Sequence, residues 1–287
     1  MSDQKRKPAH PADGLGRTQR AAFALLNEFN GRYLVKPREL VEVIVVPPDE
    51  SLMTLAVRRA LILMLARAVT EPATLHRISK AQLRRGHKSN ERIGQTLDVL
   101  SSLRVVSEDQ SSRGRPSLNR ISFFEKINEE NSESGGAWIE YALHSDIRNI
   151  IESSQNYAEI EIETIFKFRS KYSLALYERG CLLYSRKYPT RRLSICEFRS
   201  ILNIGENELV EWSSIRTCVL DVAAIELKKY TNLFRFVWKA IYERRKVIAV
   251  ELSFYKATTG RDEENEQGKE GEKVIHSSFA PAPNSLG

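Results

Sequence analysis

The sequence predicts an α+β, mainly helical protein built from two tandem winged-helix domains with disordered termini. Three observations carry that expectation. Helical periodicity falls into two groups of three segments, each group is followed by paired strand-like runs, and both strand pairs turn through basic residues. Three helices followed by a hairpin is the order of a helix-turn-helix with a wing.

A chain of 287 residues that is 41% hydrophobic suits two ordinary cores. Lys and Arg number 44 against 37 acids, a net charge of +7, which favours a polyanionic partner. The excess is uneven: residues 166–256 carry about +9 and the segment after them about −3. The basic surface therefore belongs to folded sequence.

Residues 1–20, rich in Lys, Arg, Pro and Gly, read as a disordered basic arm. Residues 21–155 form the first domain. Its first helix covers the dense apolar run 52–69, its second starts at an N-capping Ser79 and runs to Arg85, and its third spans 89–103. In that third helix Ile93, Leu97, Leu100 and Leu103 share one face. Val105 and Val106, a turn over 111–116, and a strand over 121–124 make the hairpin. The polar stretch 129–136 reads as a loop or linker, followed by a strand over 138–143 and a short helix over 146–152.

Residues 156–256 form the second domain, with helices predicted over 165–188, 194–202 and 212–230 and strands over 234–242 and 247–254. Phe234, Phe236 and Trp238 alternate against Ile248, Val250, Leu252 and Phe254, as a packed hairpin requires. Residues 257–287 lose hydrophobic period and read as a disordered tail.

A helix that enters a major groove reads it with outward polar side chains. Over 212–230, Ile215, Val219, Val222 and Leu227 are expected to face the core, leaving Ser213, Arg216, Thr217 and Lys228 outward; a plain solvated face has the same pattern. Arg191 and Arg192 precede the short helix, where guanidinium groups beside a helix N-terminus can clamp phosphate or be ordinary surface charges. Arg244, Arg245 and Lys246 sit at the wing tip. In the first domain the candidates are Lys88, Asn90 and Arg92 at the start of the third helix, and Arg113 and Arg115 in the turn. The turn, Arg113-Gly114-Arg115-Pro116, resembles an AT-hook core, which suits a narrow A·T-rich minor groove; four such residues also recur by chance, and a generic basic turn has the same composition.

Enzymatic classes find little support. The sequence has no GxxxxGK[ST] phosphate loop and no HExxH, and its five His are scattered without a His-x-His pair for a nicking site. No cofactor or metal is expected. Cys181, Cys196 and Cys218 lack zinc spacing and read as reduced core thiols. The apolar run 52–69 is interrupted by Arg58, Arg59 and Arg67, so a soluble, cytoplasmic protein is expected.

The run Ser170-Lys171-Tyr172-Ser173-Leu174-Ala175-Leu176-Tyr177-Glu178 resembles the Ser-x-Tyr-x-x-x-Leu-Tyr-Glu segment of iteron-binding plasmid replication initiators. Leu193 to Arg199 with Leu202-Asn203-Ile204, Val219 to Leu227, and Arg245-Lys246-Val247 continue the resemblance, with Glu226-Leu227-Lys228 where the family has Glu-Ile-Asn. It implies binding to direct repeats at a plasmid origin, opening of an adjacent A·T-rich stretch, and recruitment of a host initiator and replicative helicase. It also implies dimers, joined through the first domain, that repress the protein's own gene, in equilibrium with monomers that start replication. A winged-helix transcriptional regulator with no replication role shares every feature read from the residues alone. A rolling-circle nuclease lacks its His pair here, and a protein-binding scaffold would leave the basic tips without a task.

Overall fold

The computed structural model describes residues 15–71, 73–85, 91–110, 116–131 and 137–257; the side chains of Glu91, Arg92, residues 107–110 and 116–118, and Asn131 are not described. The elements run α1 (Arg17–Phe29), β1 (Tyr33–Pro37), α2 (Arg38–Glu42), β2 (Ile44–Val46), a 3-10 turn, α3 (Leu55–Thr70), β3 (His76–Ser79), α4 (Lys80–Leu83) and α5 (Glu91–Ser101). Strands β4 (Arg104–Gln110), β5 (Pro116–Ser122), β6 (Phe124–Asn131) and β7 (Ala137–Leu143) follow, then α6 (Ser145–Ser153). The remainder is β8 (Tyr157–Glu161), α7 (Ile162–Lys167), α8 (Lys171–Leu183), β9 (Thr190–Ser194), α9 (Ile195–Leu202), α10 (Trp212–Ile215), a π-helical run (Arg216–Asp221), α11 (Val222–Tyr230), β10 (Phe234–Glu243) and β11 (Lys246–Lys256).

One succession occurs twice: helix, strand, short helix, long helix, strand, short capped helix, a following helix, hairpin. The capped helices show the correspondence at residue level. Ser79 and Gln82 form a capping box at α4, and Ser194 and Glu197 form another at α9, each satisfying backbone N–H groups that the first turn leaves free. Wings close the two units: β4–β5 with β2 on its edge, and β10–β11 with β9 on its edge. The first unit adds a second sheet, β3-β7-β6.

Equivalent elements of the two units also meet. Strand β1 pairs antiparallel with β8, with Val35 opposite Glu159, and α1 packs on α6. Leu34, Val41 and Ile62 from the first unit lie in the same apolar core as Leu174, Tyr177, Phe198 and Leu220 from the second. The three arginines that interrupt the apolar run lie in α3. Arg58 donates to Asn203 Oδ1 (3.0 Å), while Arg59 donates to the carbonyls of Ile165, Phe166 and Phe168. Those two tie α3 to the second unit. Arg67 pairs with Glu71 on the surface.

Buried charge reinforces the junction. Lys36 Nζ lies 2.9 Å from Glu178 Oε2 with both side chains almost wholly enclosed. Arg58 and Arg179 stand close enough to act on the same pair. Burial pushes Lys36 below the ordinary lysine range against the pull of Glu178, and pushes Arg179 down to about 10, with Arg58 adding to the effect.

Several expectations need correction. Helix α1 begins at Arg17, inside the segment 1–20 read as an arm, and residues 17–46 hold two helices and two strands that periodicity does not reveal. The helix expected over 165–188 is two, α7 and α8, broken at Phe168. Ser170 caps α8 through its hydroxyl, and Glu226 accepts the N–H groups of Arg169 and Ser170. In the stretch 129–136 read as a loop or linker, Glu129, Glu130 and Asn131 instead finish β6 and pair with Ile139, Trp138 and Ala137 of β7, while 132–136 lie outside the described residues. Of the three cysteines only Cys181 is buried; Cys196 and Cys218 are exposed.

Candidate nucleic-acid interface

Helix α10, the π-helical run and α11 form one rod through residues 212–230. Ile215, Val219, Leu220, Ala223 and Leu227 are buried, whereas Ser213, Arg216, Thr217 and Lys228 are exposed together with Cys218, Ile225 and Lys229. The expected outward set is therefore exposed on one helix. The inward set differs at one place, because Val222 is only half-buried while Leu220 and Ala223 are enclosed. The wide turn causes this change: five-residue spacing alters which side chains return to the core.

The same turn places two of the outward side chains. Arg216 is 61% exposed at its side chain and its Nε lies 3.6 Å from Asp221 Oδ2. The Thr217 hydroxyl donates to the Ser213 carbonyl (2.9 Å), so it retains acceptor capacity toward solvent. Beneath the rod, Glu226 holds the start of α8, and Trp212 meets Trp238 of the wing edge to face at 6.3 Å. These contacts fix the rod against both the helix behind it and the hairpin beside it.

The hairpin β10–β11 turns through two residues, Arg244 and Arg245, with Glu243 opposite Lys246. All three cations are exposed. Arg244 has φ +53, the left-handed region that hairpin turns usually give to Gly or Asn. Phe236 stands opposite Phe254 and Trp238 opposite Leu252 on the packed side, as the alternation predicts. On the other side Lys239, Glu251 and Arg192 line up across three strands.

That register corrects the reading of Arg191 and Arg192. They lie within β9, not at a helix end, and adjacent strand residues point to opposite faces, so they cannot close on one phosphate. Arg191 is half-buried opposite Leu252 and Arg192 is exposed opposite Glu251. The N-terminus of α9 is itself occupied, since the Glu197 carboxylate accepts the Ser194 N–H (2.7 Å).

In the first unit, Ile93, Leu97, Leu100 and Leu103 are buried as predicted, with Gln95 and Ser102 exposed. Arg92 is in the first turn of α5. Lys88, Asn90, Arg113 and Arg115 lie outside the described residues. Among the described residues, no group of three His, Cys, Asp or Glu side chains could hold a metal ion, and no helix is long and apolar enough to cross a membrane.

Two units, each with a capped short helix, a further helix after it and a wing, define a DNA-binding protein of the tandem winged-helix class. A family model described as initiator replication protein, first winged helix, matches residues 34–181, and one described as initiator Rep protein, second winged helix, matches residues 194–254. The chain belongs to this family of replication initiators. Among solved structures, that of the Pi initiator protein in complex with iteron DNA matches 80% of this chain and 99% of its own, with 15% identity and a TM-score of 0.55. Two structures of RctB domains 2 and 3 match at 13% identity, with TM-scores of 0.40 and 0.36, covering 75% and 72% of this chain and 86% and 82% of theirs. No curated protein sequence matches.

Proposed function

We propose that this chain initiates plasmid replication by binding direct repeats at the origin, without a catalytic centre of its own. The observation that carries the reading is the rod 212–230, which presents Ser213, Arg216, Thr217 and Lys228 outward and meets, through Trp212 and Trp238, the hairpin that ends in the basic turn at Arg244 and Arg245. A major groove admits one such helix, with the wing laid along the neighbouring backbone or minor groove. In this reading Arg216 contacts a base edge, Lys228 and the wing cations contact phosphate, and Arg192 supplies an outer charge. Lys88, Asn90, Arg92, Arg113 and Arg115 give the first unit its own contacts, and that unit also carries the dimer contact.

Tandem units joined by a packed junction bind a site without internal two-fold symmetry, which fits repeats in one orientation better than a palindrome. Several copies on adjacent repeats can bend the DNA, each bend costing on the order of 1–6 kcal/mol, and so bias melting at flexible A·T-rich steps. Host initiator and replicative helicase then load on the opened strand. Dimers occupy the protein's own promoter and repress it, and all of this takes place in the cytoplasm.

Permanganate reactivity on supercoiled origin DNA tests the opening step. The expected result is protein-dependent reactivity confined to the A·T-rich segment beside the repeats. Binding to the repeats with no reactivity, even with the host initiator added, would leave a regulator of transcription and remove the initiation step.

A further inference from the structure

Ile225 stands out on the reading rod. It is 68% exposed, in the middle of α11, with Lys228 and Lys229 beyond it and Arg216 and Thr217 before it. Single exposed apolar residues are common and need no partner. Two features set this one apart. The packed side of the rod is already supplied by Ile215, Val219, Leu220, Ala223 and Leu227, so Ile225 adds nothing to the core. A β-branched residue at a solvent-facing helical position also lowers helix propensity without any packing in return.

The chemistry of the groove supplies the missing partner. A thymine presents one apolar group in the major groove, its C5 methyl, and an aliphatic side chain meets it by contact alone. We infer that Ile225 is a specificity-determining residue that recognises a thymine methyl in the origin repeat. The inference rests on the reading that the rod lies in the major groove. It complements Arg216, whose guanidinium suits a guanine edge. Nine residues separate the two, or about 13 Å of helix, and a helix laid in the groove meets successive bases about every three to four residues, so this spans about two to three base-pair steps. The thymine therefore lies about two to three pairs from the base that Arg216 contacts, on the side towards Lys228.

The test replaces each thymine of the footprinted repeat, one at a time, with deoxyuridine, which lacks only the methyl. Wild-type chain and Ile225→Ala are titrated against each duplex with competitor DNA present. One position is expected at which deoxyuridine weakens wild type about three- to tenfold, while Ile225→Ala binds that duplex and the unmodified repeat alike. Ile225→Val, which keeps a branched aliphatic contact, should retain most of the wild-type response. Because the side chain is exposed, both variants should melt no lower than wild type. Losses that are equal in wild type and Ile225→Ala, or no sensitive position at all, would overturn the assignment while leaving repeat binding intact. A chain that binds no repeat overturns both this inference and the function on which it rests.

Discussion

Arg216 Nε and Asp221 Oδ2 lie 3.6 Å apart although five residues separate them. In a regular α-helix such residues point to different sides; the π-helical run brings them to one. The pair is exposed at both ends, so it is weak and orients the guanidinium without consuming it.

Arg216→Ala should weaken binding to the specific repeat by about 1–3 kcal/mol, the range of one bidentate base contact. Asp221→Ala should behave differently: affinity for a scrambled duplex rises as a negative charge leaves the surface, while discrimination between repeat and scramble falls. Parallel titrations of the two duplexes check both variants. If Asp221→Ala changes both affinities by the same factor, the carboxylate has no orienting role.

The wing tip separates strain from charge. Arg244 holds a left-handed conformation, and Gly adopts it freely. Arg244→Gly should leave stability unchanged or raise it by up to about 1 kcal/mol. It should weaken DNA binding evenly across sequences and lower the slope of log K against log salt by about 1. Urea unfolding alongside a salt series measures both, and an unchanged slope would remove Arg244 from the phosphate contacts.

The buried junction should respond asymmetrically. Lys36→Met leaves Glu178 still facing Arg58 and Arg179, whereas Glu178→Gln leaves Lys36 and Arg58 without their carboxylate and Arg179 with only the more distant influence of Glu42. The second change should cost about 3–5 kcal/mol and the first clearly less. Equal costs in urea unfolding would mean that Lys36 alone neutralises Glu178.

Alkaline pH should destabilise the fold. Burial raises the Cys181 thiol and the Tyr141 and Tyr177 hydroxyls above their ordinary values, so the folded chain keeps protons that the unfolded chain releases above about pH 9 to 10. The folded state then binds more protons, and stability falls as pH rises through that window. Tyr172 and Tyr184, also raised by burial, act the same way, whereas Lys36, Lys171 and Arg179, lowered by burial, act in the opposite direction, so five groups outweigh three. Unfolding midpoints at pH 8 and pH 10.5 should differ in that sense, and Cys181→Ala should narrow the gap. A midpoint that rises with pH would contradict the assignment.

Local signals made the capped helices, the helices after them and the wings legible. Ser79 and Ser194 announce their helices by capping, Ile93, Leu97, Leu100 and Leu103 mark one helix face, and Phe236 and Trp238 alternate in register with Phe254 and Leu252. What stayed hidden depends on distant partners. Strand β1 is ordered by β8, more than a hundred residues away, and the break before α8 is held by Glu226 reaching back to Arg169 and Ser170. The acidic end of β6 looks like a loop because its charges are satisfied by residues about fifty positions earlier: Glu129 by Lys80 of α4 and Glu130 by Arg77 of β3. Arg191 and Arg192 were legible as cations, but only their pairing to β11 shows that they point apart.

A DNase footprint on the DNA flanking the protein's own gene, with competitor present to suppress nonspecific phosphate binding, tests the central claim most directly. Regularly spaced protection over direct repeats, lost in Arg216→Ala, is the predicted result. A single palindromic footprint at the promoter, or protection that Arg216→Ala leaves unchanged, would contradict it.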